Sequence, residues 1–186
     1  MQKNDNQKFI TNYINDLNNL SLDLDINTLI EISNCILDCS NSNGTIYIVG
    51  NGGSASIASH VAVDFLKALG IKSMTFNESS LITCYANDYG YENWVKEALK
   101  SYSQKKDCVI LISSSGESSN ILNGARFALE NELSLITFSG FKKNNSLSDL
   151  GNYNIWVDSC NYNYVEIIHN QFLLMLVDFI KLNLSN

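Results

Sequence analysis

A chain of 186 residues, 45% of them apolar, can bury one sizeable core, and its length suggests a single domain over residues 1–186. A formal net charge of −7 without any cluster of Lys or Arg excludes a nucleic-acid-binding face and a polybasic membrane contact. Apolar runs break well before the ~18 residues of a membrane span, and no basic-then-apolar leader opens the chain, so no membrane association and a cytoplasmic location are expected. Local anion binding stays open, because backbone amides and hydroxyls hold phosphate whatever the net charge. Five cysteines without a CxxC pair point to free thiols. Cys35, Cys84 and Cys108 sit in apolar stretches and are expected to be buried.

In chain order, Phe9, Ile10, Tyr13, Ile14, Leu17 and Leu20 recur at helical spacing over 6–20, and 26–39 repeats the pattern with Leu29, Ile30, Ile32, Ile36 and Leu37. These two amphipathic helices, within 1–42, are expected to pack on the domain and to serve an oligomer interface. Residues 45–49 are β-branched and aromatic, a buried strand, and run into Gly50, Asn51, Gly52, Gly53 and Ser54 and then a helix to 69. Ser54 is expected to cap that helix, whose first amides lack intrahelical partners and carry the positive end of the dipole. The stretch reads as a phosphate cradle. On the same helix, the i, i+4 spacing puts His60 and Asp64 on one face, turned to whatever the loop holds.

A strand follows over 71–76, a helix begins at 79–85, and 87–90 breaks the pattern. Residues 93–102 read as helix, 108–112 as strand, 121–130 as helix, 133–138 as strand, 144–150 as a short helix, 155–157 as strand and 164–182 as a long terminal helix. Strands alternating with helices predict an α/β, doubly wound parallel sheet covered on both faces.

Between the strand at 108–112 and its helix, Ser113, Ser114, Ser115, Ser118 and Ser119 bracket Gly116. Hydroxyls beside free helix amides at a strand's carboxyl end are suited to one phosphate. The first loop also matches GxGxxA loosely through Gly50, Gly52 and Ala55, with Glu78 where a ribose partner of a dinucleotide would stand, but that reading leaves the serines without a role.

Four ordered stretches, GNGGSASIASH at 50–60, YANDYGY at 85–91, ISSSGESSN at 112–120 and YVEIIHNQ at 164–171, resemble the sugar isomerase (SIS) domain proteins, in their phosphoheptose isomerase branch. The resemblance runs from about residue 7 to 182. It implies a five-stranded parallel sheet with two N-terminal helices and a long C-terminal helix, and a homotetramer with active sites between subunits. The ligand it implies is a phosphorylated sugar, with sedoheptulose 7-phosphate the default substrate. Ser113, Ser114, Ser115 and Ser118 take the phosphate, Asn51, Gly52, Gly53 and Ser54 hold the sugar, and Asp88 contacts its hydroxyls. A proton moves between C1 and C2 through an enediol. Members carry zinc on His, Glu, Gln and His.

Three of those four positions differ here. His60 matches, Asp64 replaces the glutamate, Glu166 replaces the glutamine, and Leu174 stands in place of the second histidine. His60, Asp64 and Glu166 are thus the expected catalytic groups and the ligands left for zinc. Two carboxylates facing one pocket would push one pKa up and suit acid/base work. His169, three residues after Glu166, is expected to be packed. The alternative implied by Leu174 is a non-catalytic SIS protein that senses a phosphosugar or binds a protein partner.

Overall fold

A strand covered by helices on both faces has no polar side to show, and of three such stretches in the chain 46–49 and 108–112 are apolar without interruption, while 133–138 is broken only by Ser134 and Thr137. The computed structural model, which describes residues 3–184, places them side by side. They are β1 (Ile46–Gly50), β3 (Cys108–Ser113) and β4 (Ser134–Ser139), flanked by β2 (Ser73–Met74) and β5 (Tyr153–Trp156). All pairings are parallel, in the order β2-β1-β3-β4-β5. From β1 the chain steps outward to β2, then returns to the other side of β1 for β3, so the winding reverses between β1 and β3. A crevice opens there at the strands' carboxyl ends. Gly50 lies opposite Ile112, which puts the glycine turn and the serine turn next to each other.

The described helices are α1 (Lys3–Leu22), α2 (Ile26–Asn41), α3 (Gly53–Leu69), α4 (Ser79–Tyr89), α5 (Trp94–Tyr102), α6 (Ser119–Glu130) and α7 (Tyr162–Leu184). Alternation along each strand divides the core. Ile46, Ile48, Ile110 and Ile112 meet α2, α3 and α7, while Tyr47, Val49, Val109 and Leu111 meet α5 and α6. Each of the Ile, Val and Leu side chains among them, fully removed from water, stabilises the fold by ~1.5–3 kcal/mol. On α7, Phe172, Leu173, Leu176 and Ile180 are buried and Phe179 is half-buried. α1 leans on α7, where Tyr13 meets Tyr164 edge to face at 4.6 Å and the Tyr164 hydroxyl donates to Asp16. Its Phe9, Ile10 and Ile14 are left exposed. None of the described helices is long and apolar enough to cross a membrane.

Several local expectations change. The strand expected over 71–76 pairs only at Ser73 and Met74, because Asn77 donates to the Ala55 carbonyl and the Ser59 hydroxyl and draws the chain toward α3. α4 continues through Asn87 and Asp88 and stops at Gly90, whose φ of +84° suits a residue without Cβ. Residues 144–150 form turns instead of a helix. There the buried Asn145 side chain donates to the Ser139 hydroxyl and to the carbonyls of Gly140 and Lys142, and accepts from the Ser148 amide, in competition with helical bonding. The N-cap of α3 is Gly52, not Ser54, which lies buried inside the first turn. All five cysteines are free, but of the three expected to be buried only Cys108 is: Cys35 is half-buried and Cys84 exposed, and Cys39 joins Cys108 in the interior.

Candidate active site

The glycine turn delivers the start of α3 to the crevice. Gly52 makes no side-chain cap, and only its carbonyl serves the turn, accepting from the Ala55 and Ser56 amides. Gly53 is there for room. A Cβ on it would lie 2.7 Å from the Glu166 carboxylate carbon and 2.8 Å from one of its oxygens, with the other oxygen nearer still. The Glu166 carboxylate, from α7, therefore rests against the first residue of α3, the end of the helix that favours negative charge.

β3 ends at Ser113, and the chain turns through Gly116, at φ +68°, into α6. Ser113 and Ser118 hydroxyls share a 3.2 Å hydrogen bond, and the Ser115 hydroxyl accepts from the Glu117 amide. Ser118 stands at the N-cap of α6 without a side-chain capping bond, leaving that helix's first amides without one. The Ser114 hydroxyl is buried and has no partner. A buried polar group left unpaired is unusual, and a ligand bringing acceptors would satisfy it. Ser113, Ser114, Ser115 and Ser118 together line a cavity of about 100 Å³ with Asn51, Ser54, Tyr162 and Glu166.

This loop is braced from outside. Glu117 accepts from both the amide and the hydroxyl of Ser146, which hold its carboxyl below the usual carboxylate range. The Leu147 amide donates to the Gly116 carbonyl, and a Cβ on Gly116 would collide with the Asn145 side chain. The serine turn therefore keeps its shape without a ligand.

A second, more open cavity of about 330 Å³ adjoins the first, lined by Gly53, Ser56, Ile57, His60, Glu166, Ile167 and Asn170. Glu166 belongs to both linings. His60 Nε2 lies 3.4 Å from Asp64 Oδ2, with the imidazole about half exposed. Asp64 lines neither cavity; it is the residue that holds His60, so the expected pair of carboxylates facing one pocket is replaced by one carboxylate and one carboxylate-held imidazole. Among the described residues no three His, Cys, Asp or Glu side chains gather to hold a metal ion. Glu166, Asn170 and Leu174 follow each other at i, i+4 and i+8 on α7, and Leu174 packs half-buried against the core. The donor set of this chain therefore does not fit zinc.

His169 is fully buried, with Nε2 3.0 Å from the Ser139 carbonyl oxygen and its ring edge to face with Phe138. Burial pushes its pKa down to about 4, and it belongs to the packing, as expected. Asp88 is exposed at the end of α4, bonded to Asn87 and Cys84, and lines neither cavity. Glu78 caps α4 by accepting from the Leu81 amide, which removes the ribose partner from the dinucleotide reading. Asn170, which lines the second cavity, escaped the sequence reading as a site residue, although the i+4 step from Glu166 was an available signal. Tyr162, an aromatic at the entry of the last helix that could stack on a sugar, does line the serine cavity.

Residues 11–140 match the SIS domain family. A phosphoheptose isomerase of Glaesserella parasuis is 28% identical over 93% of this chain and 91% of its own length. That of Helicobacter pylori is 30% identical over 78% and 79%. Among solved structures, phosphoheptose isomerases from Neisseria gonorrhoeae and Francisella tularensis both superpose with a TM-score of 0.87. They are 19% and 21% identical and match 94% and 97% of this chain and 97% and 99% of theirs, a likeness of fold. The two N-terminal helices, the five-stranded parallel sheet and the glycine and serine turns thus belong together, and the chain is a member of the SIS domain family, in its phosphoheptose isomerase branch.

Proposed function

We propose that the chain interconverts a ketose phosphate and an aldose phosphate, with sedoheptulose 7-phosphate as substrate, using Glu166 as general base and His60 as its partner. The observation that carries this reading is the position of Glu166, which lines both the serine cavity and the His60 cavity. The phosphate occupies the hydroxyls of Ser113, Ser114, Ser115 and Ser118 and the free amides of α6, and Asn51, Gly52, Gly53 and Ser54 face the sugar. Glu166 takes a proton from C1 of the ketose, the enediol forms, and the same proton returns to C2. His60, held by Asp64, passes a proton to the carbonyl oxygen and accepts one from the neighbouring hydroxyl. No step runs through zinc, because His60, Asp64 and Glu166 do not gather into a metal-ligating group and Leu174 offers no donor.

In this reading the protein is a cytoplasmic homotetramer. Support comes from the exposed Phe9, Ile10 and Ile14 of α1, an apolar stripe that a second copy would cover. Asp88 then contacts sugar hydroxyls in a site shared between subunits. Incubation with sedoheptulose 7-phosphate, followed by the appearance of the aldose, tests the reaction. Glu166→Ala is expected to lower turnover by roughly 10²–10⁴-fold. Wild-type turnover no higher than that of an Asp64→Ala, Glu166→Ala double variant would sink the proposal.

A further inference from the structure

Two carboxamides meet across the point where the sheet reverses its winding. Asn51 follows β1, and Asn120 is the second residue of α6. Asn51 Nδ2 donates to Asn120 Oδ1 at 2.9 Å, and Asn120 Nδ2 donates to Asn51 Oδ1 at 2.9 Å. The hydroxyl of Tyr91, from the segment between α4 and α5, donates to the same Asn51 oxygen at 3.3 Å. Asn120 is only 2% exposed, whereas Asn51 is half-buried and lines the serine cavity.

A carboxamide has two N–H donors and two acceptor lone pairs. Both lone pairs of Asn51 are taken, by Asn120 and Tyr91, and so is one of its N–H groups. One N–H is left. An asparagine without such partners turns either its oxygen or its nitrogen to a ligand, but here that choice is made before the ligand arrives.

We propose that Asn120 is a positioning residue, holding Asn51 so that its side chain offers the bound sugar one N–H donor and no acceptor. The atom it meets is a sugar oxygen acting as acceptor, a carbonyl or a hydroxyl lone pair. The inference rests on the phosphosugar reading above and deepens it. Asn120 makes no bond to the serine hydroxyls, whose own pairing joins Ser113 to Ser118, so the phosphate subsite stands apart from this pair.

The test is calorimetric binding of two probes, sedoheptulose 7-phosphate and inorganic phosphate, to the full chain and its variants. Asn120→Leu is neutral and close in volume, so it removes both amide bonds without adding charge beside the phosphate. It is expected to weaken sugar phosphate binding about tenfold, the effect of one lost hydrogen bond, with phosphate binding held within about twofold. Tyr91→Phe, at an exposed residue that does not threaten folding, is expected to act in the same direction by roughly two- to threefold. Equal weakening of both probes would mark a merely structural role and overturn the proposal, as would unchanged binding in both variants. A wild type that binds the sugar phosphate without turning it over refutes the isomerase reading and leaves this one standing. A wild type that binds no sugar phosphate refutes both.

Discussion

Gly53→Ala separates stability from catalysis in a way the structure makes quantitative. Gly53 opens α3 in a backbone conformation open to any residue, since its φ is not positive. Adding a methyl there lowers the entropy of the unfolded chain and stabilises the fold by ~0.4–1 kcal/mol. The same methyl would lie 2.7 Å from Glu166 Cδ and 2.8 Å from Oε1, whereas unstrained contacts begin near ~3.5 Å. The carboxylate sits at the end of a flexible side chain, so it retreats by about 1 Å and the backbone stays. A displacement of about 1 Å at a reacting group lowers the rate about a hundredfold, or ~2.7 kcal/mol of barrier. Turnover of sedoheptulose 7-phosphate and the melting temperature, measured on the same preparation, check both halves. The expected outcome is a melting point equal to or above the wild type's, kcat down about a hundredfold, and KM nearly unchanged because the serines still hold the phosphate. A folded Gly53→Ala protein with wild-type kcat would refute the assignment of Glu166, resting on Gly53, as the base.

Two further outcomes follow from buried groups. His169 is neutral when folded down to a pKa of about 4 against an ordinary value of 6.5, so below 6.5 the unfolded chain binds a proton that the folded chain does not. Its contribution to stability is complete above pH 6.5, falls by about 3 kcal/mol between 6.5 and 4, and levels below that. Between pH 6.5 and 4 the unfolding free energy from denaturant titrations should fall by that amount more in the wild type than in His169→Gln, and parallel curves would show that the histidine is not desolvated. Ser114→Ala removes a buried hydroxyl with no partner, so the unliganded protein should melt at the same temperature or higher. The rise in melting temperature caused by inorganic phosphate should shrink, by ~1.4 kcal/mol for tenfold weaker binding, and an undiminished rise would place the phosphate elsewhere.

The alternation of strands and helices was legible because burial on both faces leaves a continuous apolar run wherever a central strand passes, as in residues 46–49 and 108–112. The two turns at the strands' carboxyl ends were legible for a related reason. Glycines and serines cluster where the chain must turn sharply and offer hydrogen bonds, and those needs are local. Boundaries at the sheet edge and around residues 144–150 were not, because Asn77 and Asn145 settle them through bonds to carbonyls and hydroxyls from other parts of the chain. Helical spacing placed His60 and Asp64 on one face but could not say whether they face a ligand or each other.

Within α3 Asp64 turns to His60, and only the packing of α7 against α3 decided that Glu166, more than a hundred residues away in the chain, rests on Gly53. The amino-acid order by itself determined where the glycine and serine turns are, since turn and helix-start chemistry depends on neighbours in sequence. Which side chains share the cavity depends on contacts across the sheet, and those exist only once the chain has closed.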